Sequence, residues 1–594
     1  MGKKRFFGFS LNIFKYLIYI VSIIGIAVCI AVLFPQIRQM ILEMVERIAH
    51  KKMSLYQETF EALRSYAIGG IFLIIFFDYC MLTVSGKMLV CKVKNEIRDC
   101  LSEIDRRSFT KPVLLMFGIY LLGISSIIRA DFLYIDDIGR SAAGYRGWYG
   151  WSRYVAEFLS IFIHADFHLT DISPLQQLIA ILMMAFGSVL LVYILNDRKI
   201  TMTGLLASVP VGLSPYMLEC LSYRYDSPNM ALSVLASIVP FLFLARKKAF
   251  IFCSIVSLLV MCMTYQAASG IYLLITLVLC FNDWNGKRKN NHEILLFLGK
   301  AVLSFCVAML IFKLFLMRPF NTYVSNTMFP LSQMFSGILA NFIKYVRAIN
   351  SDFGFIWKAV IGIIFCFFVV KSVHMSARNK MISFIASIAL LCLLFFFSYG
   401  IYFVLENSLF APRAMYGFGV FLGIIGIGIS FNFNKSAKIS ALALSWCFLV
   451  FAFSYGNALA DQKRYANFRA SILLQDLSAL YPDKDENGNK ILIQLKNTIG
   501  YTPVVKNIAK HNPVIYKLVP QMMMEEEPWS NYYYLEYFNY APFSTANIGM
   551  NRARSGEPYI DFNTLNLPIV KKTYYHTIKS DGKRVLVELN EGIK

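Results

Sequence analysis

The sequence predicts an all-α polytopic membrane protein with about thirteen transmembrane helices and a small C-terminal α/β domain. Three observations carry this prediction. The 594-residue chain is 57% hydrophobic and only 16% charged, which is too apolar for a water-soluble protein. Apolar runs long enough to cross a bilayer recur up to residue 455. After residue 456 these runs stop and the composition becomes polar.

The apolar runs define the predicted spans, whose ends are approximate. They cover residues 12–34, 67–90, 112–128, 174–195, 200–215, 229–245, 249–264, 267–281, 294–316, 355–371, 381–404, 415–431 and 438–455. Between the first two spans, the apolar spacing of 35–66 predicts an amphipathic helix on the membrane surface. The segment 317–354 has a similar periodicity.

Lysine and arginine alternate from one predicted loop to the next. With the N-terminus in the cytoplasm, every cytoplasmic loop is cationic, and the short opposite loops carry few cations besides Arg224 and Arg413. Cations concentrate on the cytoplasmic side of membrane proteins, so the pattern predicts an extracytoplasmic C-terminal domain. It also accounts for the formal net charge of +22 without a nucleic-acid partner, for which no basic reading motif is present.

Three segments divide the predicted chain. Residues 1–111 form an N-terminal extension with two spans, residues 112–455 form the main membrane domain, and residues 456–594 form the polar domain. In the last segment, ADQKRYANFRASILLQDLSAL predicts a helix over 460–480. KILIQL and RVLVEL predict strands, because turn-forming residues flank short runs rich in branched side chains.

Ionisable and aromatic residues are concentrated in the loop that reads DFLYIDDIGRSAAGYRGWYGWSR. It contains Asp131, Asp136, Asp137, Arg140, Arg146 and Arg153, with Tyr145, Trp148 and Trp151 among them. Such a cluster at a membrane boundary predicts a functional site. Carboxylates suit proton transfer, and guanidinium groups suit binding of phosphate through their planar fork. The alternative interpretation is that the acids solvate a loop and cap a helix.

Other loops predicted on the same side add polar candidates. SYRYDSPNM contains Arg224 and Asp226, TYQAASG contains Tyr265 and Gln266, and LENSLFAPRAMYG contains Glu406 and Arg413. If these loops converge on the first, the two arginines would clamp an anionic group. The alternative is that each arginine pairs locally with an acid or a lipid headgroup.

His164 and His168, with Asp166 and Asp171, superficially resemble a metal site. The chain has no HExxH motif, however. Asp171 precedes Ile-Ser-Pro, a common helix start, and is better explained as the N-cap of the next span. No metal site is therefore predicted. The 12 cysteines are scattered mostly through apolar runs and indicate small buried side chains, not a disulfide framework or a zinc site.

Several of these motifs resemble one family. DDIGRSAAGYRGW, followed by DISPLQQLIAILMMA and then by SYRYDSPNMALS, TYQAASGIYL and APRAMYG in that order, is similar to the bacterial glucosyltransferases of the O-antigen-modifying type II class. The resemblance extends from about residue 112 to the C-terminus, and the first two motifs are its most specific part.

The resemblance implies a GT-C-like fold in the bacterial plasma membrane and a polyprenyl-phosphate-linked sugar donor, such as undecaprenyl-phosphate glucose. It implies a lipopolysaccharide or other surface glycan as acceptor, inversion by single displacement, and no metal or other cofactor. An acid of the first outer loop is then the expected catalytic base, either Asp136 or Asp137, with Asp131 third. Arg140, Arg153, Arg224 and Arg413 are the expected ligands of the donor phosphate. The expected substrate contacts are Tyr145, Trp148, Asp226, Tyr265 and Gln266.

Residues 1–111 lie outside the resemblance, and for them the sequence leaves open docking of a donor synthase or flippase and shielding of the donor. Two other functions also stay open. A flippase or transporter of lipid-linked sugars would need charges in mid-span or broken helices in paired halves. A non-catalytic scaffold that binds glycan would tolerate loss of Asp136 and Asp137.

Overall fold

The computed structural model describes residues 21–34, 36–37, 40, 70–71, 74–75, 77–317, 327–481, 491–525, 543–545 and 561–591. The predicted surface helix 35–66 lies almost entirely outside these residues. Parts of the predicted spans 12–34 and 67–90, and residues 318–326, lie outside them as well.

The described chain is mostly helical. In chain order its helices are α1 Val21–Leu33, α2 Val84–Ser102, α3 Arg106–Ala130, α4 Asp136–Ala143, α5 Tyr154–His164, α6 Leu175–Leu195, α7 Met202–Leu213, α8 Pro215–Ser222, α9 Ser227–Phe243, α10 Lys247–Cys262, α11 Gln266–Asn285, α12 Asn291–Leu316, α13 Met334–Asp352, α14 Phe355–His374, α15 Lys380–Phe397, α16 Pro412–Met415, α17 Gly417–Ser430, α18 Lys435–Leu480, α19 Pro503–Ala509 and α20 Ile515–Leu518.

Seven of the described helices, α3, α6, α11, α12, α14, α15 and α18, are long and apolar enough to cross a membrane. This confirms a helical membrane architecture. The predicted span 200–215 is part of a bent pair, α7 and α8, whose axes differ by 59°, because Ser214-Pro215 interrupts the helix. Predicted spans 229–245, 249–264 and 415–431 form the shorter helices α9, α10 and α17. The total of about thirteen spans stays a prediction.

The loops between helices gather at two opposite ends of the helical body. At one end, Glu103 pairs with Arg198 at 3.5 Å and Arg246 at 3.1 Å, and Asp197 pairs with Arg288 at 2.6 Å. The loops rich in cations therefore contact one another. At the other end, the loops containing the sequence-predicted site residues meet around α4. Helix α6, with 21 residues, separates the two ends by about 32 Å.

Helix α18 corrects the prediction of a separate helix over 460–480. It runs unbroken for 46 residues from Lys435 to Leu480, a length of about 69 Å. The change from apolar to polar composition near residue 456 marks a change of surroundings, and no proline or capping residue ends the helix there. Gly456 instead allows close packing on α3, since a Cβ at this position would lie 2.3 Å from Ser126 Oγ.

A five-stranded mixed sheet forms the C-terminal domain. Its strands are β1 Ile491–Lys496, β2 Phe543–Thr545, β3 Ile569–Lys572, β4 His576–Ser580 and β5 Arg584–Leu589, in the order β2-β1-β5-β4-β3. Strand β1 is parallel to β2 and β5, and the other pairs are antiparallel. The two strands predicted from KILIQL and RVLVEL are confirmed as the adjacent strands β1 and β5.

The sheet is attached to the polar half of α18. Arg469 is buried there and donates hydrogen bonds to the carbonyl oxygens of Tyr575 at 2.6 Å and Asn590 at 2.8 Å. The amide of Gln462 donates to Gly500 O at 3.0 Å and accepts from Thr502 N at 3.1 Å. These buried bonds fix the domain to the helix, because breaking them would leave polar groups unpaired.

The same domain also contacts the membrane body beside α4. The carbonyl oxygen of Leu518 accepts hydrogen bonds from the hydroxyls of Tyr134 at 2.8 Å and Tyr455 at 3.1 Å. Lys517 pairs at 2.6 Å with buried Asp352, whose carboxylate also accepts from Tyr216 at 2.8 Å. The C-terminal domain therefore lies at the end of the body that holds the predicted site residues.

Candidate active site

Helix α4 is a short helix that presents Asp136 and Asp137 in its first turn. It begins after Ile135, whose φ is 44°, and ends at Gly144, whose φ is 62°. A Cβ at Gly144 would lie 2.0 Å from the His168 ring, so this helix end requires glycine. Because the two acids are adjacent on a helix, their side chains point in different directions.

Asp137 points into the protein and fixes the backbone of two loops. Its side chain is fully buried. The Oδ2 atom accepts hydrogen bonds from Tyr134 N at 3.2 Å and Arg224 N at 2.9 Å, and Oδ1 accepts from Tyr225 N at 3.4 Å. Burial raises the pKa of Asp137 to about 8, although the backbone donor of Arg224 opposes the shift. This carboxyl group joins α4 to the loop before α9.

Asp136 has the opposite environment. Its side chain is exposed. Desolvation by the surrounding protein raises the pKa of Asp136, against the lowering effect of Arg140, and the charges of Arg413 and Arg153 also reach it. Within the described part of the chain, no cation lies within 4 Å of Asp136 to form an ion pair.

Asp131, the third predicted acid, follows the last residue of α3 and is tied to two cations. Its carboxylate pairs with Arg224 and, at 2.9 Å, with Lys463 of α18. Its pKa is lowered: partial burial would raise it, but the Lys463 hydrogen bond and the Arg224 charge outweigh that effect. Asp131 therefore connects three elements and is a poor proton acceptor at neutral pH.

Arg140, Asp226 and Trp148 form a closed cluster behind α4. Arg140 pairs with Asp226, and both side chains are almost fully buried. The indole of Trp148, 1% exposed, donates to the same carboxylate, and the Arg140 guanidinium lies 4.1 Å from its ring centroid. Tyr145 remains exposed beside Arg140. The structure thus brings these four predicted residues together, with only Tyr145 open to solvent.

Arg224 is likewise occupied by acids. Its guanidinium pairs with Asp131 and with Asp171. The expectation that Asp171 caps the next helix is wrong, because the residue before α6 is Pro174, whose side chain cannot cap. Asp171 instead compensates the charge of the buried Arg224 guanidinium. Leaving that charge unpaired would cost far more free energy than leaving a helix end uncapped.

Arg413 lies on the same side and pairs with Glu219, an acid that sequence reasoning did not select. The Glu219 Oε1 atom is 3.0 Å from Arg413 Nη1, and its Oε2 atom accepts from the Arg413 backbone N. Glu219 is 1% exposed. The signal was present in PYMLECLS, where a single acid stands in an apolar run, since acids at membrane depth are usually paired or functional.

Arg153 differs from the other three predicted phosphate ligands. Among the described residues, no carboxylate lies within 4 Å of its guanidinium, and its buried Nε has no hydrogen-bond partner. It lies 4.5 Å above the ring of Tyr265, which is 3% exposed and stacks on Tyr416 at 6.2 Å. The guanidinium is therefore held by a cation–π contact with its charge uncompensated by an acid. Gln266 follows directly and is half-buried at the start of α11.

His164 and His168 do not share a helix face, because α5 ends at His164. The His164 ring stacks on Tyr225 at 5.7 Å and lies 3.0 Å from the Gln176 amide. In the parts of the chain that the structure describes, no group of three His, Cys, Asp or Glu side chains is placed to hold a metal ion.

Comparison with known proteins gives one curated relative and one family. The chain is 25% identical over 441 residues to an uncharacterized 55.3 kDa protein from the gtrB 5' region of Salmonella phage P22, a match that covers 70% of this chain and 88% of the phage protein. No solved structure matches. The model of the glucosyl transferase GtrII family matches residues 125–424, a range that contains α4 and all four arginines described above. The chain therefore belongs to the glucosyl transferase GtrII family.

Proposed function

We propose that the chain transfers glucose from a polyprenyl-phosphate-linked donor to a hydroxyl of a lipopolysaccharide or other surface glycan, on the outer face of the bacterial plasma membrane. Membership of the glucosyltransferase family supports the glycosyl transfer. The loop charges support the location, because the cation-rich loops contact one another at the end of the body remote from α4.

Asp136 is the catalytic base in this proposal, and one observation carries the assignment. Of the three predicted acids, only Asp136 is exposed and outside any ion pair in the described chain, while Asp131 and Asp137 are committed to neighbouring elements. Its raised pKa brings its basicity closer to what proton removal from a sugar hydroxyl needs. Asp131 and Asp137 then position the loops on either side.

Arg153 is the main ligand of the donor phosphate. A guanidinium already paired with carboxylates has little net charge to offer an anion, which limits Arg140 and Arg224. Arg413, like Arg140, pairs with a single acid, but its side chain is 19% exposed where that of Arg140 is 7% exposed, and its charge still reaches Asp136. Arg153 and Arg413 therefore supply the positive charge of the site.

The resulting reaction is a single displacement at the anomeric carbon. The acceptor hydroxyl transfers its proton to the Asp136 carboxylate while its oxygen forms a bond to the anomeric carbon. The bond from that carbon to the phosphate oxygen breaks, and its electron pair leaves with the polyprenyl phosphate. The charge that grows on this phosphate is stabilised by Arg153 and Arg413. Attack opposite to the leaving phosphate inverts the anomeric configuration.

The test compares Asp136→Asn with Asp166→Asn in membranes supplied with labelled polyprenyl-phosphate glucose. Asp166 is an exposed acid of the same loop region whose contact to His168 N, 3.2 Å, an asparagine can keep. Loss of a general base lowers transfer by about 10²–10⁴-fold, and the control should retain wild-type transfer. Wild-type transfer by Asp136→Asn would remove the base assignment. Lipid-linked sugar crossing the membrane without any transfer by the wild type would favour a flippase.

A further inference from the structure

A cavity lies at the end of the helical body opposite to Asp136. Its volume is about 440 Å³, and it is lined where α6 ends, α10 begins, and α11 and α12 are joined. Helix α10 begins at this cavity and ends just before Tyr265 of the candidate active site, and α11 returns from there to the cavity. The cavity and the candidate active site therefore lie at opposite ends of these two helices. It shares no lining residue with that site.

The cavity combines an apolar wall with a basic rim. Phe241, Phe250 and Phe297 line the wall. Five cations and three acids line the rest, an excess of two positive charges. The acids are already engaged: Asp197 pairs with Arg288 at 2.6 Å, and Asp283 pairs with Lys289 at 2.7 Å. The third, Glu293, accepts a hydrogen bond from the Asn290 backbone at the start of α12.

Of the five cations, Lys247 and Lys300 carry the uncompensated charge, because Arg288 and Lys289 pair with lining acids and Arg198 pairs with Glu103. Neither Lys247 nor Lys300 has an acid within 4 Å among the residues that the structure describes. Lys300 lies nine residues into α12, a span candidate, and so about 13 Å from its first residue. A cation at that depth is costly in hydrocarbon unless an anion or water meets it. Phe297 is one turn earlier on the same face, so the apolar wall and the cation adjoin.

We propose that this cavity binds an anionic phospholipid, with the headgroup phosphate between Lys247 and Lys300 and an acyl chain along the phenylalanine wall. Basic pockets between helices at a membrane surface bind lipid headgroups in this way. A free phosphate would leave the apolar wall uncovered, and a zwitterionic lipid would bring no net negative charge to the two lysines. The site is independent of the proposed transfer reaction.

The test uses the full chain in detergent micelles, with lipid retention followed by native mass spectrometry. Phosphatidylglycerol is expected to remain bound as a single copy and to resist an excess of phosphatidylcholine. Inorganic phosphate at the same concentration should fail to displace it. Equal retention of the two lipids, or full displacement by inorganic phosphate, would overturn the proposal without the need for any variant.

Variants assign the bound lipid to this cavity. The double substitution Lys247→Gln and Lys300→Gln should weaken phosphatidylglycerol retention by about thirtyfold, the effect of two lost lysine contacts with an anionic lipid. Lys344→Gln, which removes an exposed cation from α13, should leave retention unchanged. Size-exclusion profiles confirm that each variant is folded. Undiminished retention by a folded double variant would refute the assignment, as would an equal loss in Lys344→Gln.

Discussion

Replacing Asp137 by alanine removes the acceptor that joins α4 to the loop before α9. The substitution leaves three buried backbone N–H groups without a partner, those of Tyr134, Arg224 and Tyr225. Each unsatisfied buried group costs about 1–3 kcal/mol. The Tyr225 bond, at 3.4 Å, is long and contributes least. The two shorter bonds therefore set an expected loss of stability of about 2–6 kcal/mol.

Asparagine at the same position separates hydrogen bonding from charge. Its single oxygen can replace Oδ2 and keep the Tyr134 and Arg224 bonds, so Asp137→Asn should lose less stability than Asp137→Ala. Burial raises the pKa of Asp137 to about 8. The folded state then binds this proton more tightly than the unfolded state does. The contribution of Asp137 to the free energy of unfolding therefore falls as pH rises from about 4 to 8. Asn cannot ionise, so the wild type should lose its advantage over Asp137→Asn across that interval.

Thermal unfolding of the purified chain in detergent, followed by tryptophan fluorescence at several pH values, measures these differences. The expected order of unfolding temperature near pH 6 is wild type, then Asn, then Ala. An alanine variant that unfolds at the wild-type temperature would refute the claim that Asp137 stabilises the contact between α4 and the loop before α9. If Asn and Ala were equally destabilised at every pH, the charge of Asp137, and not its acceptor geometry, would be what stabilises the fold.

Other predictions follow from the same contacts. Desolvation by the surrounding protein raises the pKa of Asp136, so kcat/KM should fall with decreasing pH at a higher pH than an unperturbed aspartate would give; a flat acid side of the profile would contradict this. Arg413→Ala leaves Glu219 buried without its partner, which should cost about 3–5 kcal/mol; an unchanged unfolding temperature would show that Glu219 is neutral. Lys463→Ala breaks a partly exposed ion pair with Asp131 and a hydrogen bond to its carbonyl oxygen, and should cost about 1 kcal/mol or less; a larger loss in thermal unfolding would mean that these contacts fix α18. Trp148→Phe removes the indole donor to Asp226 and should lower the unfolding temperature while leaving the KM for the sugar donor unchanged; a raised KM would place Trp148 against substrate.

The helical architecture followed from apolar runs because hydrocarbon leaves the backbone no partners other than its own. Apolar runs locate the spans, but they do not predict where a helix ends once it has left the membrane. It therefore missed the continuity of α18, in which the helix continues for more than six turns past the last predicted span residue, 455. The strands β1 and β5 were predictable because each is a short run of branched residues bounded by turn signals.

The loop sequences indicated which residues meet, and they did not indicate how the charges are distributed. All four arginines looked equivalent in the sequence. The structure distinguishes them by their partners, which come from distant positions: Asp226 for Arg140, Glu219 for Arg413, and two acids for Arg224. The difference between Asp136 and Asp137 also depends on the helical turn of α4, which directs one carboxyl group outward and the other inward.

Donor binding and transfer, measured side by side in Asp136→Asn and Arg153→Gln, test the assignment of the two central residues most directly. We predict that Asp136→Asn binds labelled polyprenyl-phosphate glucose with near wild-type affinity and fails to transfer the sugar. We predict that Arg153→Gln loses donor affinity by at least about tenfold, as expected for one charge-assisted phosphate contact. Unchanged donor affinity in Arg153→Gln, together with full transfer by Asp136→Asn, would contradict the account.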